Sequence, residues 1–247
     1  MAVEKNVFDP TAAIPLYQQV MDVIKNDIDT GVYAPGSKIP TEFELADAYQ
    51  VGRVTVRRAV EELVQEGYLT KQQGRGTFVN APKLKRKIRQ RGDVESFTDA
   101  CAANGMTAGA RVLARHVVKA TPADASFFGV DEGSELVVIE RIRTADGVPI
   151  MLENNAFLLC DHGYLQKADL SDISIFKLVA DTTGRAPTTS VPCTLEICRA
   201  DVETARVLKV PAGEPLFYME AFFRDQEGHP LIIGRQRIVG SRYVFDI

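Results

Sequence analysis

"QVGRVTVRRAVEELVQEGYL", Gln50 to Leu69, is the stretch on which the fold turns. At about 100° per residue, Val56, Ala59, Val60 and Leu63 fall in one arc, while Arg53, Val54, Arg57, Arg58, Glu61 and Glu62 take the other side. The spacing predicts an amphipathic helix from Gly52 to Glu66, with Gly67 as a left-handed stop. Thr55 lies early in it, near enough to Arg53 and Arg57 to share a surface at the helix N-terminus. Cations at that end run against the helix dipole, which favours anions, so an anionic partner explains them better than helix stability does. A solvated charged face is the alternative reading of such a helix taken alone, and the flanking sequence has to decide.

Upstream, "IPLYQQVMDVIKNDIDTGVY" has Pro15 at a helix start and Leu16, Val20, Val23, Ile24 and Ile28 at helical spacing before Gly31. "APGSKIP" is turn chemistry. "TEFELADAY" opens with Thr41 and Glu44 in capping-box spacing, which starts a short second helix with Leu45 and Ala48 inward. Downstream, "YLTKQQGRGTFV" runs as a strand, turns at "QQGRG" and returns through Thr77, Phe78 and Val79. Three helices and a hairpin in about 70 residues form a winged helix-turn-helix. In that arrangement the third helix lies in the DNA major groove. Arg53 and Arg57, one turn apart, can each fork onto guanine or phosphate, with Arg58 beside them, and Thr55 can bond either. Gly74 and Gly76 let the wing backbone approach the duplex and carry Arg75 toward the groove. The first helix, with Asp22, Asp27 and Asp29, packs away from DNA.

The net charge of −4 over 247 residues argues against a polyanion until it is divided along the chain. From Gln50 to Arg91 there are eleven Lys or Arg against three acids, a balance of +8, which leaves −12 elsewhere. Such asymmetry implies a basic element that serves a polyanion and an acidic body that does not touch it. The segment "APKLKRKIRQRGD" within it is expected to link two domains, either as a soluble hinge or with added phosphate contacts. No apolar run approaches the ~20 residues of a membrane span, and "MAVEKNVFDP" lacks a signal-peptide core, so a soluble cytoplasmic protein is expected. The four cysteines form no CxxC pair and the three histidines are scattered. Neither a metal site, a disulfide framework nor a cofactor is expected.

The stretch "PLYQQV…GVYAPGSKIPTEFELADAYQVGRVTVRRAVEELVQEGYLTKQQGRGTFV" resembles the DNA-binding domain of GntR-family bacterial transcription regulators over nearly its whole length. Two positions depart from the family pattern. Gly52 stands where a small hydroxyl residue is usual, and Phe43 where some members carry a charged DNA-contacting side chain. The resemblance therefore leaves phosphate contact at the start of the second helix to Thr41.

The second half alternates short strand-like runs, turns and helix-like stretches. "ELVVIERIRTADGVPIMLENNAF" reads as a hairpin turned at "ADG", with Val137, Ile139, Arg141 and Arg143 on one strand face. Burying unpaired charge costs several kcal/mol, so that face must open into a polar cleft or meet an anion. "PLFYMEAFF" aligns Leu216, Tyr218, Glu220 and Phe222, and "LIIGRQRIVG" aligns Leu231, Ile233, Arg235 and Arg237. One sheet face lined by Arg141, Arg143, Arg235, Arg237 and Glu220 is expected to hold a small anion. Plain surface or dimer-interface charges are the alternative.

The motifs "SFTDA", "RIRTADGVPIMLEN", "DLSDISIF" and "GEPLFYMEAFFRDQEGHPL" are similar to the UTRA effector-binding domain of the HutC-like branch of GntR regulators. That resemblance implies a mixed α/β domain, related in fold to chorismate lyase, that dimerises and senses a sugar phosphate, a carboxylate or a similar anionic metabolite. By motif it implies ligand roles for Ser96, Phe97, Arg141, Arg143, Glu153, Ser174, Phe176 and Glu220. Phe176 replaces a frequent tyrosine, Ile232 a frequent glutamate and Arg237 a frequent aromatic, which points to an effector more compact or more anionic than a hexosamine phosphate, or to a sugar phosphate held in another pose.

The whole reads as an α+β chain: a winged helix-turn-helix over 8–80, a basic linker over 81–92 and an effector-binding, dimerising domain over 93–247. The expected function is a ligand-responsive repressor that binds a double-stranded inverted-repeat operator as a homodimer and is released by a small anion. A constitutive DNA binder is the alternative. A lyase-like enzyme is less favoured, because no Ser-His-Asp set, metal cluster or Gly-rich phosphate loop supports catalysis.

Overall fold

Apolar stripes at helical spacing and one capping box shape the first unit. In the computed structural model, which describes residues 8–80, 83–87 and 94–246, the chain divides into two compact units, 1–82 and 83–247. Helix α1 spans Leu16–Asp29, α2 Glu42–Tyr49 and α3 Arg53–Gln65. Strands β1 (Leu69–Gln72) and β2 (Gly76–Val79) form the antiparallel wing. Thr41 caps α2 in the expected box, its hydroxyl accepting from the Glu44 amide at 3.3 Å while Glu44 Oε2 accepts from the Thr41 amide at 2.7 Å. The core gathers Val20 and Ile24 of α1, Leu45 of α2, all four apolar residues of the α3 stripe, and Leu69 and Val79 of the wing. Each buried Val, Leu or Ile stabilises by about 1.5–3 kcal/mol, and Ala59 by less. One expected inward position is wrong: Ala48 is exposed and Tyr49 is buried. Tyr49 follows Leu45 by four residues and closes the stripe, with its ring edge-on to Phe8 at 5.3 Å.

The second unit opens with β3 (Leu84–Lys87) and α4 (Phe97–Ala103), followed by β4 (Ala108–Lys119) and α5 (Pro122–Phe128). Next come β5 (Glu135–Ala145), β6 (Val148–Leu158), α6 (Leu159–His162) and α7 (Ile175–Thr183). The chain closes with β7 (Thr189–Arg199), α8 (Val202–Leu208), β8 (Pro215–Arg224), β9 (Pro230–Val239) and β10 (Tyr243–Asp246). Six strands make an antiparallel sheet in the order β4-β5-β6-β9-β8-β7, and β3 pairs in parallel with β10. Asp146 and Gly147, with φ of 48° and 76°, turn the β5–β6 hairpin as the sequence predicts. Helices cover both faces. Phe97 of α4 and Ile175 and Val179 of α7 pack on the face of Val137, Ile139 and Met151, whereas Phe128 of α5 and Leu208 of α8 pack on the opposite face. This is the mixed α/β domain expected from the sequence.

The expectation of a linker throughout 81–92 is corrected in its middle. Leu84 is fully buried against Phe97, Ala100 and Tyr243, so Leu84–Lys87 belongs to the second unit as a paired strand. An apolar residue set among lysines and a strand partner for the backbone both favour docking over a free hinge. Residues 81–82 and 88–93 lie outside the described ones.

Candidate functional site

In the first unit, α3 begins at Gly52, which offers no side chain to cap the helix, so its first backbone N–H groups face outward. Arg53 lines a groove between the start of α2 and the wing, together with Thr41, Phe43, Lys71, Gly74 and Gly76. Glu42 at its floor accepts from Lys71 Nζ at 3.0 Å and lies 4.0 Å from Arg53 Nε. Arg57 is exposed and paired with Glu61 at 2.9 Å. Exposed pairs of this kind are worth about 0.2–1 kcal/mol, so a phosphate or a guanine edge displaces them at little cost. Thr55 is half-buried just ahead of the core residue Val56. Arg58 is held differently, with its guanidinium 3.8 Å from the centre of the Tyr17 ring of α1. Arg75 stands exposed at the wing tip.

Gly74, at φ +71°, suits the expected tight tip. Gly76, at φ +126°, holds a backbone conformation that L side chains rarely adopt, and a Cβ there would also push aside the flexible end of Lys38. Sequence reasoning gave no role to Val54, 82% exposed, or to the apolar side chain of Phe43, 71% exposed. The signal for Val54 was available: it is the one apolar residue on the polar arc of α3. Such groups suit thymine methyl contacts.

In the second unit, strand parity and register build a buried charged cluster. The hairpin sets Arg141 opposite Glu153, and β9 sets Gln236 opposite Glu153 on the other side. Arg141 is fully buried. It donates from Nε and Nη2 to Glu153 Oε2 at 3.1 and 2.7 Å, and from Nη1 to the Ile173 carbonyl at 3.0 Å. Arg143 donates to the Gly109 carbonyl at 3.2 Å and to Thr98 Oγ1 at 3.1 Å. Its Nη1 lies 3.5 Å from Glu153, and its guanidinium sits 4.6 Å from the Phe97 ring centre. Burial opposes the charge on Glu153, but the guanidinium groups of Arg141 and Arg143 outweigh it and hold the carboxyl down at about 2.

Above this cluster lies a narrow cleft lined by Arg86, Ser96, Phe97, Arg143, Glu153, Ser174, Ile175, Phe176 and Gln236. Ser96 and Ser174 are the N-caps of α4 and α7, so two helix N-termini border one cationic space. Phe176 packs edge-on against Phe223 at 5.1 Å. Six of the expected ligand residues (Ser96, Phe97, Arg143, Glu153, Ser174 and Phe176) therefore line one cleft, with Arg141 directly behind them.

Three others are not brought there. Arg235 pairs with Glu220 at 2.7 Å and with Asp124 of α5 at 2.5 Å, on the opposite face of the sheet. Arg237 is exposed, its guanidinium 5.8 Å from the Tyr218 ring centre. The expected single face of Arg141, Arg143, Arg235, Arg237 and Glu220 is thus split, because Glu153 aligns with Gln236 and its neighbours on β9 point the other way. Three lining residues were missed, the polar Gln236 and Arg86 and the apolar Ile175. Gln236 sits between the two misassigned arginines, and its buried Oε1 has no hydrogen-bond partner among the described residues. Arg86 shares the inward side of its strand with the apolar Leu84, a pattern hidden in a run read as linker.

A winged helix with a basic third helix, followed by a helix-covered sheet with a buried cationic cleft, defines a two-domain regulator of transcription. The family described as "Bacterial regulatory proteins, gntR family" matches residues 16–79, and the family described as "UTRA domain" matches residues 103–244. The chain is 32% identical to the uncharacterized HTH-type transcriptional regulator YurK of Bacillus subtilis, over 96% of each chain. It is 29% identical to the transcriptional repressor NagR of the same organism, over 94% of this chain and 93% of that one. It is also 30% identical to the histidine utilization repressor of Pseudomonas putida, over 93% and 90%. The crystal structure of PhnF from Mycobacterium smegmatis superposes with a TM-score of 0.69 at 28% identity, covering 92% of this chain and 97% of that one. The chain belongs to the GntR family of bacterial transcription regulators, in its UTRA-bearing, HutC-like branch, and not to a family of enzymes.

Proposed function

We propose that this regulator is a repressor that holds an inverted-repeat operator as a homodimer and leaves it when a small anion enters the cleft of the second unit. The observation that carries the reading is the buried cluster of Arg141, Arg143 and Glu153 beneath a narrow, Ser-lined cleft. Two guanidinium groups against one carboxylate leave a positive charge under the cleft, which an anion neutralises. On the DNA side, Arg53, Arg57, Arg75, Thr41 and Thr55 take base and phosphate contacts, with Val54 against a thymine methyl. Arg58 is reserved for its ring contact with Tyr17.

Support for repression comes from NagR and the histidine utilization protein, both named as repressors. Support for a homodimer comes from β7, the outer strand of the sheet, on which Val191, Leu195 and Ile197 are 53, 40 and 79% exposed. An apolar edge strand left open invites pairing, and a second copy in antiparallel register covers it symmetrically. A ligand that weakens operator binding 100-fold is bound about 100-fold more weakly by the DNA-bound form, a coupling of about 2.7 kcal/mol.

The test is selection of bound fragments from the source genome with the purified protein, at one stated salt concentration near physiological. A short inverted repeat is expected. Salt-sensitive binding with no shared sequence would overturn the operator reading.

A further inference from the structure

We propose that Arg86 is a third cation of the effector cleft, and that through it ligand occupancy acts on the strand joining the second unit to the DNA-binding unit. The inference rests on the anion-cleft reading above.

Alternation along β3 decides where Arg86 goes. Leu84 is fully buried among Phe97, Ala100 and Tyr243, and Arg86, two residues on, shares its inward side. Lys85, between them, is exposed. From that inward position Arg86 lines the cleft with Arg143 and Glu153, and its Nη2 donates to the Glu95 carbonyl at 2.6 Å, directly before the Ser96 cap of α4. Its charge is also felt by Tyr243 of β10: burial pushes that phenol up, and Arg86 works the other way. Among the described lining residues Glu153 is the one carboxylate, and Arg141 and Arg143 already share it. Three guanidinium groups against one carboxylate suit a ligand group carrying two negative charges, a phosphate or a dicarboxylate.

The strand that carries Arg86 is tied into the second unit on both sides. Asn104, the C-cap of α4, clamps it by accepting from the Lys85 amide at 3.1 Å and donating to the Lys85 carbonyl at 2.7 Å, and β10 pairs along its length. Its first residue, Leu84, lies just past the boundary between Pro82 and Lys83. An anion bound to Arg86 therefore adds a tie to the segment leading directly to the DNA-binding unit. Arg86 thus serves the ligand, whereas Lys85 faces solvent.

The full-length protein is titrated calorimetrically with inorganic phosphate and, separately, with malonate at constant ionic strength, and hydrogen exchange is followed at the amides of 84–87. Binding of at least one anion is expected, and which of the two is favoured tells phosphate from dicarboxylate. Arg86→Gln is expected to weaken that binding about tenfold or more, as loss of a charged hydrogen-bond donor does. Arg86→Lys should recover part of the loss, and Lys85→Gln should leave affinity unchanged. The anion is expected to slow exchange at 84–87 in the wild type and not in Arg86→Gln. If Arg86→Gln binds like the wild type while Arg143→Gln does not bind, the cleft stands and the role of Arg86 is overturned. If the wild type binds neither anion, the anion-cleft reading falls and takes this inference with it.

Discussion

Glu153 is the residue on which the second unit's chemistry turns, because it holds two buried arginines that would otherwise repel each other. Its carboxyl is depressed to about 2 in the folded chain, against about 4.3 when unfolded. The contribution to stability is therefore present above the unfolded value and is lost as pH falls through the folded one. Acid unfolding of the wild type is expected to steepen between about pH 4.3 and 2, whereas Glu153→Gln should be flatter there and about 3–5 kcal/mol less stable at neutral pH. Equal stabilities in a urea titration at pH 7 would remove Glu153 from this role. On the DNA side, Arg57→Ala is expected to cost about 1–3 kcal/mol of operator binding, and an unchanged affinity in a gel-shift titration would take α3 out of the interface. Arg141 and Arg143 were legible in the sequence because alternation within one strand needs no partner. Arg235 and Arg237 were misplaced because alternation between strands depends on register. The β5–β6 register is set locally by the Asp146-Gly147 turn, but that of β9 against β6 is set by pairing across about eighty residues.

Among elements, those with local signals were read most accurately. Thr41 with Glu44 starts α2, the arc of Val56, Ala59, Val60 and Leu63 orients α3, and glycines mark the wing. Strand β3 was not legible, since four residues rich in lysine carry no periodicity strong enough to outweigh their charge. What made it a strand is Leu84 and a partner, β10, at the far end of the chain. The edge strand β7 raises a separate question, because Val191, Leu195 and Ile197 on it stand exposed among the described residues. Ile197→Lys is expected to convert a dimer to a monomer in sedimentation at micromolar concentration, with the far-ultraviolet circular dichroism unchanged. A variant that sediments as the wild type does would place the dimer interface elsewhere.

For the molecule as a whole, the basic stretch from Gln50 to Arg91 serves both tasks in the proposed reading: Arg53, Arg57 and Arg75 take the polyanion, and Arg86, in the same stretch, lines the cationic cleft of the second unit. Replacing Lys83, Lys85, Arg89 and Arg91 with Gln is expected to reduce the log-log salt slope of operator binding by about 0.9 for each phosphate that these side chains neutralise. An identical slope would leave those residues as a solvated connection. The central claim is that one cleft governs DNA release. Its most direct test is fluorescence anisotropy of the selected operator fragment, titrated with the metabolite nominated by the adjoining genes, for the wild type and for Arg141→Ala. Equal operator affinity without ligand is expected, with release by ligand in the wild type alone. Release of Arg141→Ala at the wild-type ligand concentration would contradict the account.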